Sequence, residues 1–492
     1  MTQYGHPFFI AILFFSTPFP SLGNFDFGVE AEKAYTAYME LRIEEGNNIT
    51  NSLLESNPKD GIAIYLQNLG DVLPILLEDD HELYEKLKGN ELHRIKKLKT
   101  LDKTSPYYHF TQAQVRLHWA IVKFSLDEQA SALLDLRMAY KLILANAEEH
   151  PDFIPNKIPF GLLNILLGSI PEEIRWISNS VGLKGDIKEG LNLLNSVSQS
   201  NSIFKLEGAM YYHTVQHFLF EKEGTLQAIE ELHNTNRGNL LLTFVFANAL
   251  FKSGRNDEAL QVLKYRPRST NYTDFHFLDY LLAEAYLQKL DYNAAIIKYS
   301  SFIRNYGGKN FIRSAYYKLF VAHWLSGDKE KAIIYLNVIE ERGQNITTPD
   351  NYATEFAKEK QIPNIILMEV RLLTDGGYLQ EAYTKIKTVT LTHFESHQEQ
   401  VEYVYRKGRI LHKMDNIIEA KKAYLEVMEL TTPNDRMYFA PNSCLQLGLL
   451  HLENNEIAQA KNFLERVLEY PKHPYKTELD HRAKLELDKL EE

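Results

Sequence analysis

Apolar residues recur at helical spacing along nearly the whole chain, and alternating patterns that would indicate β-strands are few. Between Glu30 and Glu44, one face of a helix would carry Ala31, Ala34, Tyr35, Tyr38 and Leu41. Later segments repeat this amphipathic pattern, and short stretches rich in Gly, Pro, Asn or Asp separate them. The pattern therefore predicts an all-α protein built from successive pairs of helices.

Two segments near the C-terminus share one spacing of small and large residues. Gly408 precedes Ala420 by twelve residues and Tyr424 follows four residues later, and Gly448, Ala460 and Leu464 repeat this spacing. The same alanine position occurs six times, at Ala259, Ala295, Ala332, Ala382, Ala420 and Ala460, in steps of 36, 37, 50, 38 and 40 residues. The 50-residue step leaves room for a loop at 344–349 and a short additional helix.

Small residues at these two positions have a packing consequence. In each pair, helix A must approach helix B closely at a small residue, namely Ala247, Ala283, Gly408 or Gly448. The alanine on helix B admits the next pair, which covers an apolar face that the pair cannot bury alone. Turns with Gly or Asn available for left-handed conformations are predicted at 252–255, 325–328, 374–377 and 413–416.

This spacing resembles the tetratricopeptide repeat, whose period is about 34 residues. The resemblance covers about 239–471, and it implies a right-handed helix-turn-helix solenoid over 205–492, preceded by an N-terminal helical region with degenerate hairpins over 24–204. It also implies a non-catalytic scaffold whose helices A form a concave groove for a protein or peptide. Side chains beside the crossing residue are then the candidate partner-binding residues: Phe244, Asn248, Tyr280, Glu284, Tyr317, Trp324, Arg371, Tyr405, Arg409 and His412.

A glycine-rich segment in the middle of the chain carries a second resemblance. Residues 159–171 and 181–190 contain Gly161, Gly168, Gly182, Gly185 and Gly190. Together with motifs at 117–120 and 137–140, this segment is similar to the tetratricopeptide repeat protein 39 family. The resemblance implies an adaptor role without catalysis.

The N-terminus has the pattern of a secretory signal peptide. An apolar run at 7–15 is followed by the small residues Ser21 and Gly23, which predicts cleavage before Asn24 and a signal peptide at 1–23. The segment before the run has no Lys or Arg, only His6. We expect a periplasmic or secreted protein, or a cytoplasmic one if this run is not a signal. No Cys follows the run to carry a lipid anchor, and no later stretch predicts a transmembrane helix.

Charge and composition exclude several functions. The net charge of −11 over 492 residues gives no electrostatic basis for nucleic-acid binding. Cys444 is the only cysteine, so neither an intramolecular disulfide nor a cysteine-based metal site can form.

No motif in the chain predicts catalysis, a cofactor or a metal. His213 and His217 have helical spacing, as do His393 and His397, but Thr214 stands where a zinc protease needs Glu. The acid pairs Asp79–Asp80 and Glu172–Glu173 have the pattern of solvated helix ends. The expected function is therefore partner binding without enzymatic activity, and peripheral association with an envelope complex stays open.

Two other functions stay open at this level. A glycan-binding accessory protein of an outer-membrane nutrient-uptake system would expose clustered surface Trp residues. A helical-toroid hydrolase would need two facing carboxylates in a deep closed pocket.

Overall fold

The computed structural model describes residues 25–170, 182–360, 362–432 and 435–491. These ranges contain helices and connecting turns and no β-strand, which confirms the predicted all-α class. The predicted signal peptide and the Glu172–Glu173 pair lie outside them. Besides three 3-10 turns, the helices are α1 (Val29–Met39), α2 (Ile43–Ser56), α3 (Gly61–Glu78), α4 (His81–Leu87), α5 (Gly89–Leu98), α6 (Tyr107–Ser125), α7 (Gln129–Glu149), α8 (Lys157–Gly168), α9 (Ile187–Ser198), α10 (Lys205–Phe220), α11 (Thr225–Thr235), α12 (Leu240–Lys252), α13 (Asn256–Lys264), α14 (Phe277–Gln288), α15 (Tyr292–Asn305), α16 (Ile312–Leu325), α17 (Lys329–Val338), α18 (Thr348–Glu359), α19 (Ile365–Gly376), α20 (Leu379–Ile386), α21 (His397–Lys413), α22 (Ile417–Leu430), α23 (Phe439–Glu453), α24 (Ile457–Glu469) and α25 (Lys476–Glu491).

Six hairpins share the predicted helix-B alanine: α12–α13, α14–α15, α16–α17, α19–α20, α21–α22 and α23–α24. Four of them also have the predicted small residue on helix A, whereas Phe320 and Val370 take that position in α16–α17 and α19–α20. All six predicted helix-B alanines are fully buried. Five residues before each alanine the backbone has positive φ, at Gly254, Leu290, Gly327, Gly377, Asp415 and Asn455. This left-handed residue ends helix A and turns the chain into helix B. The helix-turn-helix solenoid is therefore confirmed.

The same rule also operates in the N-terminal half, where the sequence reasoning did not find it. Ala120 precedes Ala132 by twelve residues, both are buried, and Asp127 between them has φ 66°. The corresponding residues of the α1–α2 hairpin are Ala34, Leu41 and Gly46. These two hairpins are therefore built like those of the C-terminal half, and the division at 204 stays a prediction.

An additional helix fills the long step between Ala332 and Ala382. α18 begins after Thr347, whose hydroxyl accepts a hydrogen bond from the backbone of Asp350, and Pro349 stands in its first turn. α18 packs on α16. It is the one helix between α12 and α24 that belongs to no hairpin.

The central glycines hold α8 and α9 in close contact. A Cβ on Gly190 would lie 2.6 Å from the carbonyl oxygen of Gly161, and a Cβ on Gly161 would lie 2.9 Å from that of Gly190. A Cβ on Gly185 would lie 2.6 Å from Cβ of Leu167. The close approach of the α8 and α9 backbones therefore explains the spacing of the central glycines, on which the resemblance to the tetratricopeptide repeat protein 39 family was based.

The N-terminal half joins the repeats through polar contacts at the end of α3. Glu78 accepts hydrogen bonds from the backbone N–H of His276 at 2.9 Å and from its ring Nδ1 at 2.7 Å. Asp79 accepts three more, from the backbone N–H groups of Lys309 and Asn310 and from the Asn310 amide. Asp79 is only 3% exposed, so its prediction as a solvated helix end was wrong. Its carboxylate instead satisfies buried donors of the repeats.

The chain also returns on itself between two turns that lie far apart in sequence. The turn before α13 contacts the turn before α20, where a Cβ on Gly377 would lie 2.8 Å from the carbonyl carbon of Gly254. The Tyr378 hydroxyl donates to Asp257 at 2.8 Å and accepts from the Asn256 amide at 3.0 Å. The first hairpin of the six thus contacts the fourth directly.

Substituting leucine for Ala460 is expected to lower the free energy of unfolding by about 1 to 3 kcal/mol, because the added carbons have no space at this buried position. Ala458 lies on the same helix but is exposed. Ala458→Leu should therefore change stability by less than about 0.5 kcal/mol. Urea midpoints of the two variants measure the difference, and equal midpoints would contradict the assigned packing of α24.

Glu207 predicts a pH dependence of stability. Burial raises the pKa of this carboxyl from 4.5 to about 7, although it accepts hydrogen bonds from Tyr35 and Tyr211. The folded chain therefore holds a proton that the unfolded chain releases as pH rises from 4.5 to 7. We expect this group to remove about 1 to 3 kcal/mol of stability over that window. Glu207→Gln should show a smaller loss between pH 5 and pH 8 in urea unfolding, and an unchanged loss would contradict the assignment.

Candidate functional site

Arginine and tyrosine side chains from three helices, and from the residues that precede two others, meet in the C-terminal half, and we call this group the basic-aromatic surface. It consists of Tyr352 on α18, Arg371 on α19, Arg406 and Arg409 on α21, Tyr438 before α23 and Tyr475 before α25. The repeat rule positions most of it, since α19, α21 and α23 are the helices A of consecutive hairpins. Arg371 keeps 28% of its side chain exposed.

Hydrogen bonds and ring contacts fix these side chains. Nη1 of Arg371 donates to the Tyr352 hydroxyl at 3.3 Å, and its guanidinium carbon lies 5.7 Å from the centre of the Tyr352 ring. Nη1 of Arg409 donates to the Gln446 side-chain oxygen at 2.9 Å. Arg406 lies 5.5 Å from the Tyr405 ring. Cations stacked on aromatic rings hold a fixed geometry without neutralising their charge.

Positive charge exceeds negative charge around this surface. Arg406 pairs with Glu402 at 2.7 Å, whereas Arg371 has Asp375 only at 3.7 Å, and that carboxylate is 51% exposed. Arg409 has no carboxylate within salt-bridge distance in the part of the chain that the structure describes. The nearby Lys413 donates to a backbone oxygen, that of Thr374, at 3.1 Å. The excess is opposite in sign to the net charge of −11 of the chain.

The pKa values of neighbouring groups respond to this positive charge. Burial alone would raise the pKa of Tyr352, but the charge of Arg371 and hydrogen bonds from Tyr317 and Arg371 bring it below its usual value. Burial, and then the charge of Arg409, lower the pKa of His412 to about 4. His412 is therefore neutral at physiological pH. The positive charges thus favour the ionised form of Tyr352 and add to the effect of burial at His412, whereas burial dominates at Tyr438 and Tyr475, whose pKa values are raised.

Four of the predicted partner-binding residues meet here. Arg371 and Arg409 belong to the surface itself. Tyr405 packs beneath it against the rings of Tyr438 and Phe439, with ring centres 5.6 and 5.1 Å apart. His412 lies one turn after Arg409 on α21, and its Nδ1 is 3.1 Å from the Tyr424 hydroxyl.

The other six predicted residues lie on α12, α14 and α16, and one of them, Tyr317, contacts Tyr352 with ring centres 5.3 Å apart. The amide of Asn248 donates to the backbone oxygen of Phe244, and Phe244 packs on Phe275. Glu284 accepts from Lys318 at 2.9 Å and from Tyr299. Trp324 donates to the Pro363 oxygen at 3.1 Å. Tyr280 and Tyr317 are buried core residues.

Burial limits three of the predicted anchors. Tyr280, Tyr317 and Tyr405 are only 5%, 4% and 2% exposed. A partner cannot contact side chains covered to this degree unless the helices separate. We therefore assign these three tyrosines to packing between helices A.

Sequence reasoning missed four members of the surface: Tyr352, Arg406, Tyr438 and Tyr475. Arg406 could have been found, because Glu402, Arg406, Arg409 and Lys413 form one stripe of α21 at helical spacing. Tyr352 lies on α18 and Tyr475 follows the last repeat, so neither occupies a position of the repeat rule.

Side chains considered for other chemistry have structural partners. His217 has Nδ1 3.1 Å from the Thr225 hydroxyl and Nε2 3.2 Å from the Ala249 oxygen. His393 lies in a 3-10 turn and His397 begins α21, so the expected helical pairing of these two was wrong. Among the described residues, no group of three His, Cys, Asp or Glu could hold a metal ion.

Neither tryptophan in the described ranges forms an exposed platform. Trp119 is fully buried and its indole N–H donates to Asn68 at 2.8 Å. Trp324 is half-buried beside Phe320. The surface tryptophans that would favour a glycan partner are thus not found in this part of the chain.

Membrane-crossing helices were also sought in the described ranges. None of the helices there combines the length and the apolar composition that crossing a bilayer requires.

Comparison with known proteins assigns the hairpins around the basic-aromatic surface. The family model described as "Tetratricopeptide repeat" matches residues 401–433 and 441–473, which contain α21–α22 and α23–α24. No curated protein matches the sequence of the chain. The similarity of the central segment to the tetratricopeptide repeat protein 39 family is not confirmed.

Two similar solved structures cover nearly the whole chain. Yeast Tom70 has 11% identity and a TM-score of 0.26, over 94% of this chain and 96% of that one. The APC/C hetero-tetramer Cut9–Hcn1 has 13% identity and a TM-score of 0.22, over 94% of this chain and 99% of that one.

The matched residues coincide with the two hairpins from which the repeat was first inferred. A Cβ on Gly408 would lie 3.1 Å from Cβ of Ala423, and a Cβ on Gly448 would lie 2.8 Å from the Leu464 side chain. The close crossing that the repeat requires is thus present in both. The chain contains tetratricopeptide repeats at 401–433 and 441–473, as the sequence predicted.

Proposed function

We propose that this protein is an exported, non-catalytic scaffold that binds a protein partner through its helices A, and that the partner presents an acidic segment to the basic-aromatic surface. The observation that carries the proposal is the pair Arg371 and Arg409. Neither has a close carboxylate partner, although the chain as a whole is acidic.

The chemistry of the surface suits an anionic peptide. Guanidinium groups form paired hydrogen bonds with carboxylates, and these bonds are stronger than neutral ones. Tyr352 and Tyr438 supply half-buried aromatic area beside the charges, and Tyr and Arg are the residues that most often anchor interfaces. Arg371 and Arg409 lie on helices A of consecutive hairpins, so the matching partner carries more than one negative charge along its chain. The buried Arg406 supports this surface through its pair with Glu402.

Cross-linking capture tests the function. The tagged full-length protein and its Arg371→Ala/Arg409→Ala variant would be cross-linked in the native cells, and the captured proteins identified by mass spectrometry. We leave Tyr405 unchanged because it is buried. Lys422→Ala, which removes an exposed cation on α22, is the control.

A protein captured by the unaltered chain and by the control, but lost in the double variant, is the expected result. A partner retained by the double variant would move the interface away from this surface. Capture of polysaccharide alone would favour the glycan-binding alternative.

Export is a separate part of the proposal and rests on the apolar run at 7–15 and the small residues before Asn24. Mass spectrometry of the mature protein from the native cells should give Asn24 as the first residue. A mature chain that still contains residues 1–23 in the cytoplasmic fraction would contradict export without affecting the assignment of the binding surface.

A further inference from the structure

The residue before the last helix lies among the groups assigned to partner binding. Tyr475 has φ 63°, in the left-handed region that side chains other than Gly, Asn and Asp seldom adopt. This conformation turns the chain sharply from 471–474 into α25. Such a residue persists only where surrounding contacts hold it in place.

Contacts of the Tyr475 ring come from three other parts of the surface. The ring stacks on Tyr352 with centres 6.1 Å apart and an angle of 21°, and it meets Tyr438 edge-on at 5.5 Å. Burial raises the pKa of Tyr475, and its hydroxyl lies near enough to Arg371 for the guanidinium charge to oppose this effect. Tyr475 therefore covers both aromatic rings and lies beside the cation that an anionic partner needs.

α25 is attached to the solenoid by residues besides Tyr475, which itself packs at the edge of the apolar cluster of the last hairpin. Leu479, Ala483 and Leu487 pack on the last hairpin against Cys444, Leu445, Leu464 and Val467. Nη1 of Arg482 lies 3.6 Å from Glu221 at the end of α10. The ring can therefore leave the surface by a change in the turn at 471–475 while the helix stays packed.

Two opposing effects set the cost of this movement. Leaving the surface breaks two aromatic contacts, each of modest strength, and the packing of the ring against the apolar cluster of the last hairpin. It also releases the strained backbone of Tyr475. The Tyr352 and Tyr438 rings and the Arg371 donors are then accessible to a partner. The binding of one segment can then shift the equilibrium population from the covered to the uncovered state.

We propose that Tyr475 is an intramolecular occupant of the basic-aromatic surface and that the partner displaces it on binding. The inference rests on the proposed function, since it describes how the same surface is regulated. The tyrosine lowers the apparent affinity for acidic segments by holding the surface in its covered state.

The test uses the full-length protein and a defined probe, a fluorescein-labelled octaglutamate peptide with acetylated and amidated ends. Fluorescence polarisation at low salt measures its Kd for the unaltered chain, for Tyr475→Ala and for Thr477→Ala, an exposed neutral position of α25. We expect Tyr475→Ala to bind about fivefold to thirtyfold more tightly, and Thr477→Ala to bind like the unaltered chain. Adding Arg371→Ala to Tyr475→Ala should abolish the gain.

Equal or weaker binding by Tyr475→Ala would overturn the inference, because Tyr475 would then be a wall of the site and not its occupant. Absence of probe binding in every variant would overturn it as well, since no anion site would lie beneath the ring. In both cases cross-linking capture with the Arg371→Ala/Arg409→Ala variant still decides the proposed function. Matching urea midpoints of the variants show that folding is intact.

Discussion

Replacing Gly377 by alanine is expected to lower the free energy of unfolding by about 3 kcal/mol or more, the largest effect of any single methyl group in this chain. Two costs add at this position. The backbone has φ 82°, which a side chain disfavours, and the new Cβ would lie on the carbonyl oxygen of Gly254. The turns would have to separate, and with them the first and fourth hairpins.

Gly327→Ala separates these two costs. Gly327 occupies the same position of the repeat with φ 88°, but a Cβ there would meet nothing within 4 Å. Gly327→Ala should lower the free energy of unfolding only by the conformational cost of a side chain at positive φ, about 1 kcal/mol. Urea unfolding of both variants measures the difference. Equal losses would mean that the contact between the two turns contributes nothing to stability.

Reversing the charges of Arg371, whose ion pair with Asp375 is long, and of Arg409 has the largest expected effect on function. Arg371→Glu/Arg409→Glu should weaken the purified partner's binding by about 100-fold or more, because attractive charge pairs become repulsive. Lys422→Glu makes the same charge change at an exposed position of α22, and it should alter Kd by less than about threefold.

Salt provides a second measurement of the same interaction. Raising the salt concentration from about 50 mM to about 500 mM should weaken binding by the unaltered chain, because the added ions screen the charges. The reversed variant should show little or opposite salt dependence. Affinity that is independent of salt in the unaltered chain would contradict an acidic partner, and equal losses in the Lys422→Glu control would point to a non-specific effect of net charge.

The repeat architecture could be predicted because its rule is local. A small residue on helix A, a left-handed turn and an alanine on helix B are separated by fixed numbers of residues, so Gly408, Asp415 and Ala420 are recognisable in sequence. The same rule at Ala120 and Ala132 escaped notice because no clear neighbouring copies frame it. The contact between Gly254 and Gly377 could not be predicted, since it depends on the summed rotation of three hairpins.

The candidate site could be predicted in part for the same reason. Arg371 and Arg409 are adjacent to the crossing residues of their helices, so the repeat rule selects them. The rule cannot distinguish an exposed helix-A residue from a buried one, which is why Tyr280 and Tyr317 were included. Tyr352 and Tyr475 reach the surface from outside the hairpins, through packing that follows the 50-residue step and the last repeat.

The contact between the first and fourth hairpins has a consequence for how this protein can change in length. An open array of repeats tolerates the gain or loss of a unit, because each unit touches only its neighbours. Here the turn at Gly254 must meet the turn at Gly377, with the helices α13 to α19 between them. Duplication or deletion of one hairpin in this interval would move one glycine away from the other. The number of units in the interval is therefore fixed by the fold. The contact of Arg482 with Glu221 sets the same condition on the units between Gly377 and α25.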